Sequence, residues 1–269
     1  MLIWVCALHC EAKPIIDFYR LKKSHEESAF DLYSNTDMAC IISGVGKMNS
    51  AIATAWVAAK YSDCRSIAWV NLGTAGARDA AIGSIYAINQ VLQAANDKSF
   101  YSPLMKVNRM ATASCITIDQ ERDDYHAQHL FDMEAAGFYQ AATRFSSLEL
   151  IQCIKVISDN SNHPRHRDRQ AISDLIYGNI EAIDQVFRQL MVINQGMINR
   201  DIGAQDWLSI SGLASFSQTQ KNKLRGLLRY LLNRQHSVED IQCQLKQYST
   251  AAAMIKALEL LSFDDSSRL

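Results

Sequence analysis

Over residues 1–195, short apolar runs alternate with alanine-rich segments in which apolar positions recur at helical spacing. Leu2–Leu8, Met38–Ser43, Ser66–Asn71, Gly83–Val91, Met110–Thr117 and Leu150–Ser158 read as buried strands. Lys13–Leu21, Asn49–Tyr61, Met133–Phe145 and Arg169–Leu190 read as helices. Pro14 falls in the first turn expected for the first of these helices, where a missing N–H is harmless. Two strands run into glycine-rich turns, Gly44-Val45-Gly46-Lys47 and Gly73-Thr74-Ala75-Gly76. This alternation predicts a three-layer α/β/α fold around a mixed, mainly parallel central sheet. In such sheets ligands bind beyond the carboxyl ends of the strands.

After about Gln195 the texture changes. Leu224, Leu227, Leu228, Leu231 and Leu232 follow an amphipathic helical pattern. Ser237-Val238-Glu239-Asp240 reads as an N-capped helix start, and Ala251–Leu261 as a further helix. The chain is therefore expected to comprise a domain at 1–198 and a small C-terminal helical appendage at 205–269. The cations Lys221, Lys223, Arg225, Arg229 and Arg234 read as a solvated helix face in preference to a nucleic-acid surface.

Composition narrows the classes. With 48% hydrophobic and 20% charged residues and a formal net charge of −1, nothing global draws the chain to nucleic acid or to an anionic membrane. Met1 to Leu8 is apolar, but it lacks a basic flank and runs directly into His9, Cys10, Glu11 and Lys13, so it reads as a strand and not a signal peptide. No apolar run approaches the roughly 20 residues that span a bilayer. The seven cysteines are scattered without a CxxC pair, which points to neither a zinc site nor a disulfide framework and suits a reducing cytoplasm.

The chemistry is concentrated in carboxylates at strand ends, where an unpaired buried charge would cost several kcal/mol unless it served a site. Asp132-Met133-Glu134-Ala135-Ala136-Gly137 places acids and a thioether where an apolar strand meets a helix. Asp159 stands at the tip of Ile154-Lys155-Val156-Ile157. Together they suggest a pocket for a ligand with hydroxyls, an apolar face and a proton-accepting ring, as in a nucleoside. Each also has a plainer reading: Asp132 as a helix cap, Asp159 as a loop cap, and Glu11 as an acid favoured by a helix dipole. The glycine turns match neither a phosphate-binding P-loop nor a dinucleotide fingerprint. His163-Pro164-Arg165-His166-Arg167-Asp168-Arg169 is a basic loop, either solvated or a wall near an anionic substituent.

Taken in order, five segments resemble the purine nucleoside phosphorylase/nucleosidase superfamily, closest to the methylthioadenosine/S-adenosylhomocysteine nucleosidases. They are Ala7-Leu-His-Cys-Glu11-Ala, Ser43-Gly-Val-Gly-Lys47, Asn71-Leu-Gly-Thr-Ala-Gly76, Phe131-Asp-Met-Glu134-Ala-Ala and Ile157-Ser-Asp159. The resemblance implies an N-ribosyl hydrolase acting through an oxocarbenium-like transition state. In it Asp159 protonates the purine N7, Glu134 bonds the ribose hydroxyls, Met133 packs on the ribose, and Glu11 orients the attacking water. Thr74, Ala75 and Gly76, with Gly44 and Asp132, line the sugar site by the same resemblance. Ile116 stands on the strand where an aromatic that stacks on the base is expected, and the interval from Gly76 to Glu134 is short, so the base and 5′ pockets are trimmed. Methylthioadenosine, S-adenosylhomocysteine and 5′-deoxyadenosine are the candidate substrates, with free adenine as product. The resemblance implies a homodimer and no metal or organic cofactor. Glu11 would repel phosphate, which favours hydrolysis over the alternative of a nucleoside phosphorylase. A third reading is a degenerate nucleoside-binding or partner-docking protein.

Overall fold

The first strand, β1 (Leu2–Cys6), is buried along its whole length, so both faces of the sheet are covered. Trp4 stacks on Tyr19, which closes the helix α1 (His9–Phe18), with ring centroids 6.2 Å apart. Ile3 and Val5 point the other way, as the period of two requires. They join the core cluster that includes Ala53, Val57, Phe138 and Tyr139. The computed structural model describes all residues except 63, 65, 95–97, 104, 106, 108, 109, 121–127, 164–167, 200, 201 and 267–269.

The order continues with β2 (Lys22–Lys23), β3 (Asp31–Ser34), β4 (Met38–Ile42), α2 (Lys47–Lys60), β5 (Ala68–Ala77), β6 (Ile85–Gln93), β7 (Lys98–Tyr101), β8 (Ala111–Thr117), β9 (Leu130–Asp132), α3 (Ala135–Ala142), β10 (Ile151–Asn160), α4 (Arg169–Tyr177) and α5 (Ile180–Asn199). The sheet runs β10-β6-β8-β9-β5-β1-β4-β3-β2, with β7 paired to β6. Strands β4, β1, β5 and β10 form a parallel centre. Around it β3–β4, β10–β6 and β5–β9 are antiparallel, so the sheet is mixed. Because β10 also pairs with β5, the strands β5-β9-β8-β6-β10 close into a ring. Helix α1 packs with α4, and α2 packs with α3. A Cβ on Gly137 of α3 would lie 1.9 Å from the Lys47 carbonyl of α2, so these two helices approach backbone to backbone.

Several sequence expectations shift. Helix α1 begins at His9, well before Lys13, because Glu11 supplies acceptors for the N–H groups that precede it, and Pro14 consequently lies inside the helix. Gly73-Thr74-Ala75-Gly76 is not a turn: it lies within β5 and pairs with Lys155 to Asp159 of β10. The helix expected over Arg169–Leu190 is two helices, α4 and α5. At the break the Asn179 amide donates to the carbonyls of Leu175 and Gly83, both at 2.9 Å. Strands β2, β3 and β7 have no counterpart among the expected elements, and the apolar strand expected to lead into Asp132 is β9.

The chain forms two compact units, Met1–Gln195 and Gly196–Leu269. The second contains α6 (Ala204–Ser211), α7 (Gln218–Asn233), α8 (Val238–Leu245) and α9 (Ala251–Ser266). Leu224, Leu228 and Leu231 of α7 pack with Ile241, Leu245, Met254 and Leu258 in a core of its own. The Ser237 hydroxyl accepts the Asp240 N–H at 3.1 Å and caps α8 as the sequence suggests. No helix among the described residues is long and apolar enough to cross a membrane.

Candidate functional site

Glu11 lies in the first turn of α1, where the chain leaves β1, and its side chain is only 3% exposed with its residue. Its carboxylate turns back over the helix start. Oε2 accepts the N–H groups of Ala7 (3.2 Å) and Leu8 (3.0 Å). Oε1 accepts the Thr74 N–H at 2.8 Å and the Thr74 hydroxyl at 2.9 Å. These four donors match the lone-pair capacity of a carboxylate. A Cβ on Gly73 would come within 3.0 Å of Oε1, so the acid rests on bare backbone of β5. The structure thus brings Glu11 and Thr74 together across 63 residues of sequence.

Glu134 stands at the start of α3, buried, and its Oε1 accepts the Gly46 N–H at 2.7 Å. Gly46 has φ of 104°, which an L side chain rarely adopts, and it begins α2. Its N–H is one of the unpaired donors of that helix start, and Glu134 accepts it. Oε2 of Glu134 has no hydrogen-bond partner among the described residues. Burial raises the Glu134 pKa from its ordinary 4.5 to about 7, with Asp132 and Glu11 adding to the rise while Lys155 and the Gly46 N–H oppose it. The carboxyl is therefore poised between its two protonation states at neutral pH.

Asp132 ends β9 and is fully engaged by the protein. Oδ1 accepts the Thr117 hydroxyl at 2.7 Å; Oδ2 accepts the N–H groups of Glu134 (3.3 Å) and Ala135 (2.8 Å) and pairs with Lys155 Nζ at 2.8 Å. Thr117 also accepts the Ala136 N–H at 3.0 Å, which ties the end of β8 to the same helix start. Sequence reasoning passed over Lys155 and Thr117. A lysine inside the otherwise apolar run Ile154–Ile157 was the available signal, because a lysine is almost never fully buried without a partner.

Asp159 lies near the end of β10, next to a register shift between Ile157 and Asp159 that leaves Ser158 as the extra residue. Such bulges re-aim side chains. The Ser158 hydroxyl donates to Asp159 Oδ1 at 2.6 Å. Asp159 is the register partner of Gly76, and Gly76 is the partner of Phe131. The ends of β10, β5 and β9 therefore lie side by side and carry Asp159, Gly76 and Asp132 together.

The remaining residues fall around these ends. Met133 and Ile116 share a small apolar cluster with Ile118 and Phe131. Gly44 donates its N–H to the Ala7 carbonyl at 3.0 Å and so binds the turn after β4 to the start of α1. The Ala75 side chain belongs to the core on the opposite face from Thr74, which leaves only its backbone for a site. Of the basic loop, Asp168 caps α4 by accepting the Ala171 N–H at 2.7 Å, and Arg169 opens that helix. Arg165 and Arg167 lie outside the described residues. Among the described residues no group of three His, Cys, Asp or Glu side chains could hold a metal ion.

No protein-family model matches the chain, and no curated protein matches it significantly. Solved structures do. The 5′-methylthioadenosine nucleosidase of Arabidopsis thaliana in apo form has a TM-score of 0.57 at 14% identity, covering 70% of this chain and 95% of that one. The futalosine hydrolase of Helicobacter pylori has a TM-score of 0.54 at 11% identity, covering 70% and 97%. The methylthioadenosine/S-adenosylhomocysteine nucleosidase of Colwellia psychrerythraea, solved with adenine, has a TM-score of 0.53 at 17% identity, covering 70% and 93%. The fold is that of the nucleoside phosphorylase/nucleosidase superfamily, as the sequence resemblance implied. At such identities the likeness speaks for the fold, and the chemistry has to be argued from the residues.

Proposed function

We propose that this protein is a nucleosidase that hydrolyses the N-glycosidic bond of a 5′-modified adenosine, with methylthioadenosine, S-adenosylhomocysteine and 5′-deoxyadenosine as the leading substrates. In this reading Glu134 receives the ribose hydroxyls on Oε2 and places negative charge beside the developing oxocarbenium ion. Asp159 donates a proton to the purine N7, and Glu11 exchanges the Thr74 hydroxyl for the attacking water, which it orients and deprotonates. Asp132 shapes the sugar side through the backbone it holds, Met133 and Ile116 supply apolar surface, and Gly44, Thr74, Ala75 and Gly76 contribute backbone or hydroxyl groups.

The observation that carries the choice of hydrolysis is the occupation of the backbone donors. The start of α1 and the Thr74 N–H, which could cradle an anion, are taken by the Glu11 carboxylate. The Gly46 N–H at the start of α2 is taken by Glu134. A phosphate would have to displace a carboxylate at either place and face its charge. Water meets no such penalty.

A homodimer without metal or organic cofactor belongs to the same proposal. Met48 and Ile52 of α2 and Phe145 just after α3 are 67%, 54% and 48% exposed, which supplies apolar surface for self-association; light scattering on the purified chain tests it. Seven free thiols fit a reducing compartment such as the cytoplasm.

The test is base release. Purified full-length protein is incubated with the three adenosines and with futalosine, in the presence and absence of phosphate, and free base and sugar are separated by chromatography. Hydrolysis predicts the free base, adenine from the adenosines, and the free ribose sugar at a rate that ignores phosphate. A phosphate-dependent rate with a ribose 1-phosphate product would establish phosphorolysis instead. Thermal stabilisation by adenosine analogues with no turnover at high protein concentration would leave a binding protein and overturn the enzymatic reading.

A further inference from the structure

Lys155 has no part in the chemistry above, and its buried pair with Asp132 is an expensive thing to build. Both side chains are essentially without solvent exposure, at 1% and 0%. Ion pairs at such depth often stabilise a fold no better than apolar residues of the same volume. Its position offers another reason for it. Asp132 Oδ2, which receives the ammonium, also receives the N–H groups of Glu134 and Ala135, so the pair is fastened to the residue that carries the ribose-side carboxylate.

We propose that Lys155 is the positioning residue of the site: through Asp132 it fixes the backbone that aims Glu134 at Gly46, and its charge keeps Glu134 an acceptor beside two other carboxylates. The inference deepens the nucleosidase reading and rests on it for the word ribose. The electrostatics follow from the placement. Glu134 is buried with Asp132 and Glu11 acting on it, and Lys155 is the largest influence that favours its ionised form. Burial disfavours the ammonium of Lys155, but Asp132, Cys153, Glu134 and Cys115 outweigh that and hold it well above its ordinary range. Other titratable groups surround it. Cys6 of β1 lies within its influence, and Tyr86 of β6 is its register partner. The thiols stay neutral where Glu134 titrates: burial pushes up Cys115 and Cys153, and the Cys40 hydrogen bond with burial pushes up Cys6. One cation thus acts on two carboxylates, Asp132 and Glu134.

The decisive measurement is the carboxyl titration of Glu134 in the full chain, followed by carbon-13 NMR and assigned by its loss in Glu134→Gln. The parent should titrate near pH 7. Lys155→Met should raise the midpoint by about one pH unit or more, and Lys155→Arg should leave it nearly in place. If Lys155→Met does not fold, Lys155→Met/Asp132→Asn removes the uncompensated charge. Lys155 acts on Glu134 more strongly than Asp132 does, so the midpoint should still rise in the double variant. An unchanged or lower midpoint, or an equal rise in Lys155→Arg, would overturn the proposal. In the active protein the acid limb of kcat/KM should move with the midpoint and cost about fivefold or more at neutral pH in Lys155→Met, with Lys155→Arg rescuing it. If the parent releases no base from any nucleoside, the nucleosidase reading fails, and the titration still decides the role of Lys155.

Discussion

Replacing Glu134 with glutamine should abolish turnover and yet stabilise the protein, with a pH dependence of definite sign. In the folded chain the Glu134 pKa is raised from 4.5 to about 7, chiefly by burial. An acid whose folded pKa is raised gives its full stability below the unfolded pKa and loses it as pH climbs through the folded one. Each factor of ten in the ionisation equilibrium is about 1.4 kcal/mol, so the parent gives up about 3 kcal/mol between pH 4.5 and pH 7. Glutamine does not ionise, and its carbonyl oxygen can still accept the Gly46 N–H. The variant and the parent should therefore be nearly equal in stability at pH 4.5, with the variant ahead by about 3 kcal/mol above pH 7. Native-state hydrogen exchange of amides in β1, β5 and β9 reads this within the first unit alone. Parallel pH profiles for the two proteins, or a variant less stable at high pH, would refute the reasoning.

Glu11→Gln should behave in the opposite way. Its amide nitrogen must face either the Ala7 and Leu8 N–H groups or the Thr74 donors, so turnover should fall and thermal unfolding should show a loss of about 1–3 kcal/mol from unsatisfied donors. Asp159→Asn should lower kcat by about 10²–10⁴-fold, while calorimetry with a non-hydrolysable methylthioadenosine analogue shows binding little changed. Gly137→Ala should cost about 3 kcal/mol or more in thermal unfolding, because its Cβ meets the Lys47 backbone carbonyl at 1.9 Å and not a side chain that could move aside.

The strand–helix rhythm of residues 1–195 was legible because a strand buried on both faces leaves an unbroken apolar run, and β1, β4 and the centre of β10 do so. The acids were legible for the complementary reason, as charges where such runs stop. What escaped was the local backbone. Gly73 to Gly76 looked like a turn, since glycine usually marks one. Here glycine makes room for Glu11 against a continuing strand, and that contact spans 63 residues of sequence. β2 escaped because two residues carry too little pattern to register. Lys155 was visible as a letter but not as a site residue, because its meaning depends on Asp132 arriving beside it from another strand.

The ring formed by β5, β9, β8, β6 and β10 works like a hoop. A strand in an open sheet can slip by a residue and carry its neighbours with it. In a hoop any slip has to be passed right around the circuit and matched where it returns, so the register of all five strands stands or falls together. Gly76, Asp132 and Asp159 sit on consecutive members of that hoop. Their mutual spacing is consequently insulated from what happens in the stretches of chain that join β7 to β8 and β8 to β9. Those stretches can lengthen, shorten or change composition while the three strand ends keep one fixed gauge.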